Sequence, residues 1–393
     1  MIATVFGRRN ALEVFLWSRA AIWLAALLAL LTLEPMRNPK AFRWDDPSVT
    51  HDLGSWVDVW ARWDSVHFLR IAEHGYTHAE VAFYPLYPAL VAAVGRILGH
   101  HFVLAGVLVS LAFALAAFVL LQGVAERRLG VDGSRRTLVY LALFPTALFL
   151  QAVYSESLFL FVCLGAFVLA ERGRLPEAGA VAGLAILTRP EGIALLPSLV
   201  LLARRRSWQL ATVVPVAAIY PVLLWRRLHD PWAFAHAEGT WHRSLSWAGP
   251  FGGIWDALRA AWAGVEQVVS GSNAHVYWTA VSRADSTPLR TAALNLELFA
   301  FLVLFVFLSV VAWRRFGAPY GLFAAVSLAL PLSVPSDRWP LLSLPRFGLT
   351  IFPLFLALAW LGRNARAHAA ILGSSAILLG VFVTQWALWD WVA

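Results

Sequence analysis

Asp64, His67 and His74 bring a carboxylate and two imidazoles together in the stretch Arg62-Trp63-Asp64-Ser65-Val66-His67-Phe68-Leu69-Arg70-Ile71-Ala72-Glu73-His74-Gly75-Tyr76. With Ile71 they follow a 3, 4, 3 spacing, which predicts one face of a helix. Gly75 predicts the stop, since glycine enters a left-handed cap without a Cβ clash. A carboxylate held beside apolar rings, with an imidazole at its side, can take a proton as general base. Asp64 and His67 are therefore the candidate catalytic pair. Asp64 could instead be a solvated acid paired with Arg62 or Arg70, and Asp58, on another helical face, is the second candidate base. Asp64, His67 and His74 would also admit a divalent cation, but no fourth ligand is fixed and no metal site is assigned. Contact of the imidazoles with a phosphate or an acceptor hydroxyl suits them better.

Two arginines complement this group. Arg346 follows Pro345 where the chain re-enters an apolar run, and a planar guanidinium matches a pair of phosphate oxygens. Arg189, before Pro190 and Glu191, has the same logic. Both are candidate phosphate ligands, with snorkelling to lipid headgroups as the plainer alternative. Glu156, behind Ser155, is either a first-turn acid or a substrate contact. Asp230-Pro231-Trp232-Ala233-Phe234 and His236-Ala237-Glu238…Trp241-His242-Arg243 would serve equally as the lining of a sugar pocket or as an interfacial rim. Trp63, His74, Tyr154, Glu156, His236 and Arg243 form the expected substrate-binding set.

The elements that must position them are membrane helices. Of 393 residues 60% are hydrophobic and 14% charged, and the mean hydropathy is +0.67. No soluble domain hides so much apolar surface, so the class is an all-α polytopic membrane protein. The 20 Trp flank apolar runs as interfacial anchors do, and Trp56, Trp60 and Trp63 predict one aromatic stripe. The net charge of +8 comes from arginine clusters between apolar runs, a positive-inside pattern that argues against nucleic-acid binding. Cys163, the one cysteine, lies in an apolar run, which excludes a disulfide framework. The bias towards Arg and Ala, with Lys40 the only lysine, points to a GC-rich bacterial genome.

Arg8-Arg9 precede a retained first span from about Leu12 to Leu33 with its N-terminus inside. An outer loop from about 34 to 80 follows, with an interfacial segment to about 98. Further spans are expected at about 102–124, 138–152 and 158–170. Two short ones at 178–187 and 193–202 bracket Arg189. A second long outer loop covers about 226–291, where tryptophans, histidines and acids show no clear periodicity. The expectation is about eleven crossings in a single domain, with every polar motif on the non-cytoplasmic face.

These motifs resemble the PIG-V family of membrane mannosyltransferases, within the GT-C glycosyltransferases. The matching stretches are Arg62 to Tyr76, Phe83-Tyr84-Pro85-Leu86-Tyr87-Pro88, Leu143-Phe144-Pro145-Thr146, Tyr154-Ser155-Glu156-Ser157-Leu158-Phe159, Leu187-Thr188-Arg189-Pro190, His229 to Phe234 and Ser343-Leu344-Pro345-Arg346-Phe347. Phe347 stands where the family pattern has Tyr. The resemblance implies a GT-C-type helical bundle whose first outer loop forms surface helices and carries the catalytic acid, matched by Asp64. It implies a polyprenyl-phosphate sugar donor, mannose as the sugar, inversion at the anomeric centre and a glycolipid or glycan acceptor, in a multi-pass protein of the bacterial plasma membrane contacting membrane lipids. A flippase or transporter would place ionisable groups mid-span in repeated halves. An envelope acyltransferase would use a similar His-Asp pair. These are the competing activities.

Overall fold

The computed structural model describes residues 2–34, 44–237, 239, 242–270 and 287–392. Among the described residues all regular structure is helical apart from isolated β-bridge residues, among which Arg243 pairs antiparallel with Ser336. The helices are α1 (Ile2–Thr32), α2 (Pro47–Thr50), α3 (Ser55–Asp58), α4 (Ser65–His74), α5 (Leu86–Ile97), α6 (Phe102–Ala142), α7 (Glu156–Glu171), α8 (Leu175–Thr188), α9 (Leu195–Ala203), α10 (Val213–Ala217), α11 (Ile219–Leu228), α12 (Ala233–His236), α13 (Pro250–Ser270), α14 (Pro288–Phe316), α15 (Ala318–Leu332), α16 (Leu344–Leu349), α17 (Phe352–Leu361) and α18 (Ala365–Ala387). Five helical stretches, 10–32, 102–142, 190–228, 288–316 and 365–387, are long and apolar enough to cross a membrane. Four shorter apolar helices, α5, α8, α15 and α17, pack among them.

The arms of the bundle meet where the chain reverses. At Gly130, φ is +71° and α6 folds back on itself. Ser134 Oγ then reaches the Gln122 carbonyl at 3.2 Å, which residues twelve apart on a straight helix could not do. A span was expected over 138–152, but α6 ends at Ala142 and the chain passes Pro145 into a buried 310 turn, Ala147–Leu150. Proline cannot donate a ladder hydrogen bond, so the helix stops. The freed carbonyls are met by a buried arginine of α1: Arg19 donates to Ala142 O at 3.2 Å and Ala147 O at 2.7 Å.

Two further expectations are corrected. Trp56, Trp60 and Trp63 do not form one stripe, because α3 ends at Asp58. Asp58 accepts the backbone N–H groups of Asp52, Leu53 and Gly54 at 2.9, 3.3 and 3.1 Å, closing a turn. Trp60 is fully buried while Trp56 is 53% exposed. The second long loop contains a regular element: α13 exposes Phe251, Trp255, Leu258, Trp262, Val265 and Val269 on one side. It buries Gly253, Ala257, Ala260, Ala261 and Gly264 against α14 and α15.

Candidate active site

Asp64 occupies the position before α4 where a side chain usually caps the helix. It has helical angles (φ −58°, ψ −18°) and its carboxylate makes no capping bond. Instead Oδ2 accepts a hydrogen bond from Arg346 Nη1 at 2.7 Å. Trp63 before it is left-handed (φ +54°), a conformation that costs a bulky residue of order 1–3 kcal/mol and sets the direction of Asp64. The Asp64 backbone N–H donates to the buried Tyr154 hydroxyl at 3.1 Å.

Arg346 is carried by α16, a six-residue helix that must press closely on α14. A Cβ on Gly348 would lie 2.2 Å from the Phe305 ring, so only glycine permits that approach. Thr146 Oγ1 donates to the Pro345 carbonyl at 3.1 Å and ties α16 to the broken end of α6. Arg189 is placed by its neighbour. Pro190 disfavours helical angles in the residue before it, and Arg189 is extended (φ −158°, ψ 147°), turned out of α8.

These groups form one chain of charge. The Glu156 Oε1 atom lies 3.3 Å from Arg346 Nε and 2.7 Å from Arg189 Nη1, and Arg189 Nε lies 3.3 Å from Glu191 Oε2. Asp64 and Arg346 are 13% and 12% exposed, and Glu156 is 1% exposed. Glu156 Oε2 is buried with no hydrogen-bond partner. Three carboxylates against two guanidiniums leave a surplus of one negative charge. Burial by itself would lower the Arg346 pKa, but Asp64 and Glu156 outweigh it and hold the guanidinium above its ordinary value. Burial, reinforced by the Asp64 charge, pushes the Tyr154 hydroxyl well up, so it keeps its proton. The Phe347 ring lies within cation–π range of Arg189, Arg346 and Arg243, at 5.1, 5.7 and 5.9 Å. A fixed carboxylate and two fixed guanidiniums can take a proton and hold a phosphate in one place.

Residues 15–207 match the family described as mannosyltransferase (PIG-V). That match to the PIG-V mannosyltransferase family covers 193 of the 393 residues, just under half of the chain. It is 36% identical to the GPI alpha-1,6-mannosyltransferase 2 of Cricetulus griseus over 147 residues, 34% of this chain and 29% of that one. Against the GPI mannosyltransferase 2 of Drosophila melanogaster the figure is 30% over 171 residues, 39% of this chain and 37% of that one. The similarity thus spans about a third of the length of these relatives. In three dimensions the chain resembles the crystal structure of ArnT from Cupriavidus metallidurans bound to undecaprenyl phosphate, with a TM-score of 0.50 and 14% identity. That superposition covers 95% of this chain and 64% of ArnT. The fold is that of the GT-C glycosyltransferases.

Of the charged chain, Asp64, Glu156, Arg189 and Glu191 lie inside the PIG-V segment, and Arg346 reaches it from outside. The structure thus brings Asp64, Tyr154, Glu156, Arg189 and Arg346 together. Trp63 stands beside them within a tryptophan cluster, 5.8 Å from Trp44, 5.8 Å from Trp389 and 5.4 Å from Trp391. His67, one turn past Asp64, stacks on Phe83 at 4.6 Å with its Nδ1 4.0 Å from Glu80 Oε1. The His67 imidazole beside it holds the Glu80 carboxyl below its usual range against burial, with a hydrogen bond from Thr77 assisting. His74 is exposed beside Glu73, and His236 is exposed beside Asp230. Arg243 donates to the Val334 and Leu342 carbonyls at 3.2 and 2.8 Å, bracing the loop that leads to α16. Glu238 and Trp241, read beside His236, lie outside the described residues. Among the described residues no three His, Cys, Asp or Glu side chains are grouped to hold a metal ion.

Sequence reasoning missed Glu80, an acid at the edge of the apolar run from Val81, and the packing of the C-terminal tryptophans against residues 59–63. Trp386 donates to the Val59 carbonyl at 2.7 Å, and Arg62 lies 4.2 Å over the Trp389 ring. Only the density of tryptophan near the C-terminus hinted at that packing.

Proposed function

We propose that this protein transfers a mannosyl residue, with inversion, from a polyprenyl-phosphate-mannose donor to a lipid-linked or cell-envelope glycan acceptor. The reaction takes place on the non-cytoplasmic face of a bacterial plasma membrane. The observation that carries the proposal is the 2.7 Å pair between Asp64 and Arg346, part-buried beside Glu156 and Arg189 in a membrane bundle. Asp64 takes the proton of the acceptor hydroxyl as that oxygen bonds to the anomeric carbon. The bond from that carbon to the phosphate oxygen breaks, and its electron pair leaves with the polyprenyl phosphate. Arg346 and Arg189 stabilise the charge that builds on the phosphate.

Arg346 is already paired with Asp64, so a phosphate competes with that carboxylate for the guanidinium. As Arg346 turns to the phosphate, Asp64 loses its partner and becomes available to the acceptor. The base is thereby released only when donor is bound. The curated relatives are named as GPI mannosyltransferases, and the solved neighbour was crystallised with undecaprenyl phosphate; both support this choice of sugar and lipid. The test is incubation of protein in lipid vesicles with radiolabelled polyprenyl-phosphate-mannose and a lipid extract as acceptor. Label should move to a new product. A protein that leaves such donors intact with every acceptor pool is not this transferase.

A further inference from the structure

A second polar site lies at the opposite end of the bundle. Along α7, Glu156 and Glu171 are fifteen residues apart, about 22 Å at 1.5 Å per residue. At the Glu171 end a cavity of about 550 Å³ is lined by Arg127, Arg128, Glu171 and Arg172 over an apolar wall that includes Val168 and Leu202. Glu171 fixes two of the arginines: Arg128 Nη2 donates to Oε1 at 2.8 Å and Arg127 Nη2 to Oε2 at 3.4 Å. The Tyr320 hydroxyl donates to the same Oε1 at 2.6 Å, and its ring lies 4.9 Å under the Arg128 guanidinium. Arg172 is exposed and its side chain engages none of the described residues. Three guanidiniums against one carboxylate leave a surplus of two positive charges in the cavity.

We infer that this cavity holds the phosphate headgroup of an anionic phospholipid, with cardiolipin the best match in charge. Its two phosphates balance the surplus, and the apolar wall meets the first methylenes of the acyl chains. Basic pockets between membrane helices bind such headgroups. A positive-inside anchor would need only exposed arginines. It would not need Glu171 and Tyr320 to hold two of them in fixed directions around a cavity.

The test compares cardiolipin retention in native mass spectrometry for wild type, Arg172→Gln and Arg174→Gln, after extraction from phosphatidylcholine nanodiscs with and without cardiolipin. Arg174 is two residues away and paired with Glu177, outside the cavity. Arg172→Gln should bind cardiolipin about fivefold more weakly, the equivalent of about 1 kcal/mol per arginine at a charged membrane surface. Arg174→Gln should match wild type. Equal weakening in both variants would reduce the site to general attraction by a basic face and overturn the proposal. So would unchanged binding in Arg172→Gln combined with Arg128→Gln. Inorganic pyrophosphate is the second probe: if it raises thermal stability as much as cardiolipin does, the cavity takes free anions and the lipid assignment fails.

Discussion

Asp64 and Arg346 should be coupled in stability yet separable in activity. Arg346 lies between Asp64 at 2.7 Å and Glu156 at 3.3 Å. Arg346→Gln removes the cation from two poorly exposed carboxylates and moves the five-group cluster from one surplus negative charge to two. Breaking a buried pair from one side costs about 3–5 kcal/mol, because the partner charge stays behind. Asp64→Asn is milder: Arg346 keeps Glu156, the surplus falls to zero, and the loss is about 1 kcal/mol, typical of one hydrogen bond. In the double variant Glu156 still has Arg189, so the combined loss should fall short of the sum by about 0.5–3 kcal/mol.

The rates should rank differently. Asp64→Asn removes the proposed base and should slow mannosyl transfer by about 10²–10⁴ with little cost in stability. Arg346→Gln should lose about 10²–10³ in rate, the scale for removing one donor to a developing anion, and unfold earlier as well. Thermal unfolding followed by tryptophan fluorescence, and initial rates on one nanodisc preparation, measure both. Asp64→Asn retaining more than a tenth of wild-type rate would refute the assignment of the base. Stability losses that add to within about 0.5 kcal/mol would refute the pairing.

Asp58→Asn should lose about 1–3 kcal/mol, because an amide cannot accept from three backbone N–H groups as a carboxylate does, while activity per folded molecule stays near wild type. A large loss of specific activity with normal unfolding would restore Asp58 as a base. Gly348→Ala places a Cβ against the Phe305 ring and should cost about 1–3 kcal/mol by overpacking, with Phe305→Leu recovering part of it. Glu80 has a folded pKa below its usual 4.5, so wild-type stability from this group is present above that value and falls as pH drops through the lowered one. In His67→Leu burial becomes the dominant influence. Stability at neutral pH should drop and this acid-side slope should flatten or reverse, which unfolding midpoints between pH 7 and the acid limb would reveal.

Asp64, Glu156, Arg189 and Arg346 stand out in the sequence for one reason: each is a charge bordering an apolar run, where a charge is costly unless used. Their mutual pairing does not stand out, because Asp64 and Arg346 are 282 residues apart and no local period links them. The helix over 65–74 follows from its own spacing and from Gly75, which is found with φ +86°. The tryptophan spacing at 56, 60 and 63 suggested the same continuity and misled, because a cap by Asp58 is a tertiary choice that periodicity cannot register. Helix α13 was legible in principle. Its exposed residues recur every three or four positions, but Asp256, Arg259 and Glu266 interrupt the hydropathy that marks a span.

What sequence could supply was a constraint on the answer. Near-neutrality is demanded of buried charge, so an acid and an arginine that both border apolar runs at the same end of a bundle must each find a partner there. Five such residues satisfy one another to within a single charge. The surplus is negative, and Glu156 Oε2 is left without a hydrogen bond. A phosphate arriving there therefore meets arginines already paired with carboxylates, Arg346 with Asp64 and Glu156, and Arg189 with Glu156 and Glu191, and competes with them for the guanidiniums. Displacement of Asp64 from Arg346 needs no proton and breaks no backbone contact, and it frees the carboxylate proposed as the base. In the transfer proposed above, that displacement links donor binding to acceptor activation.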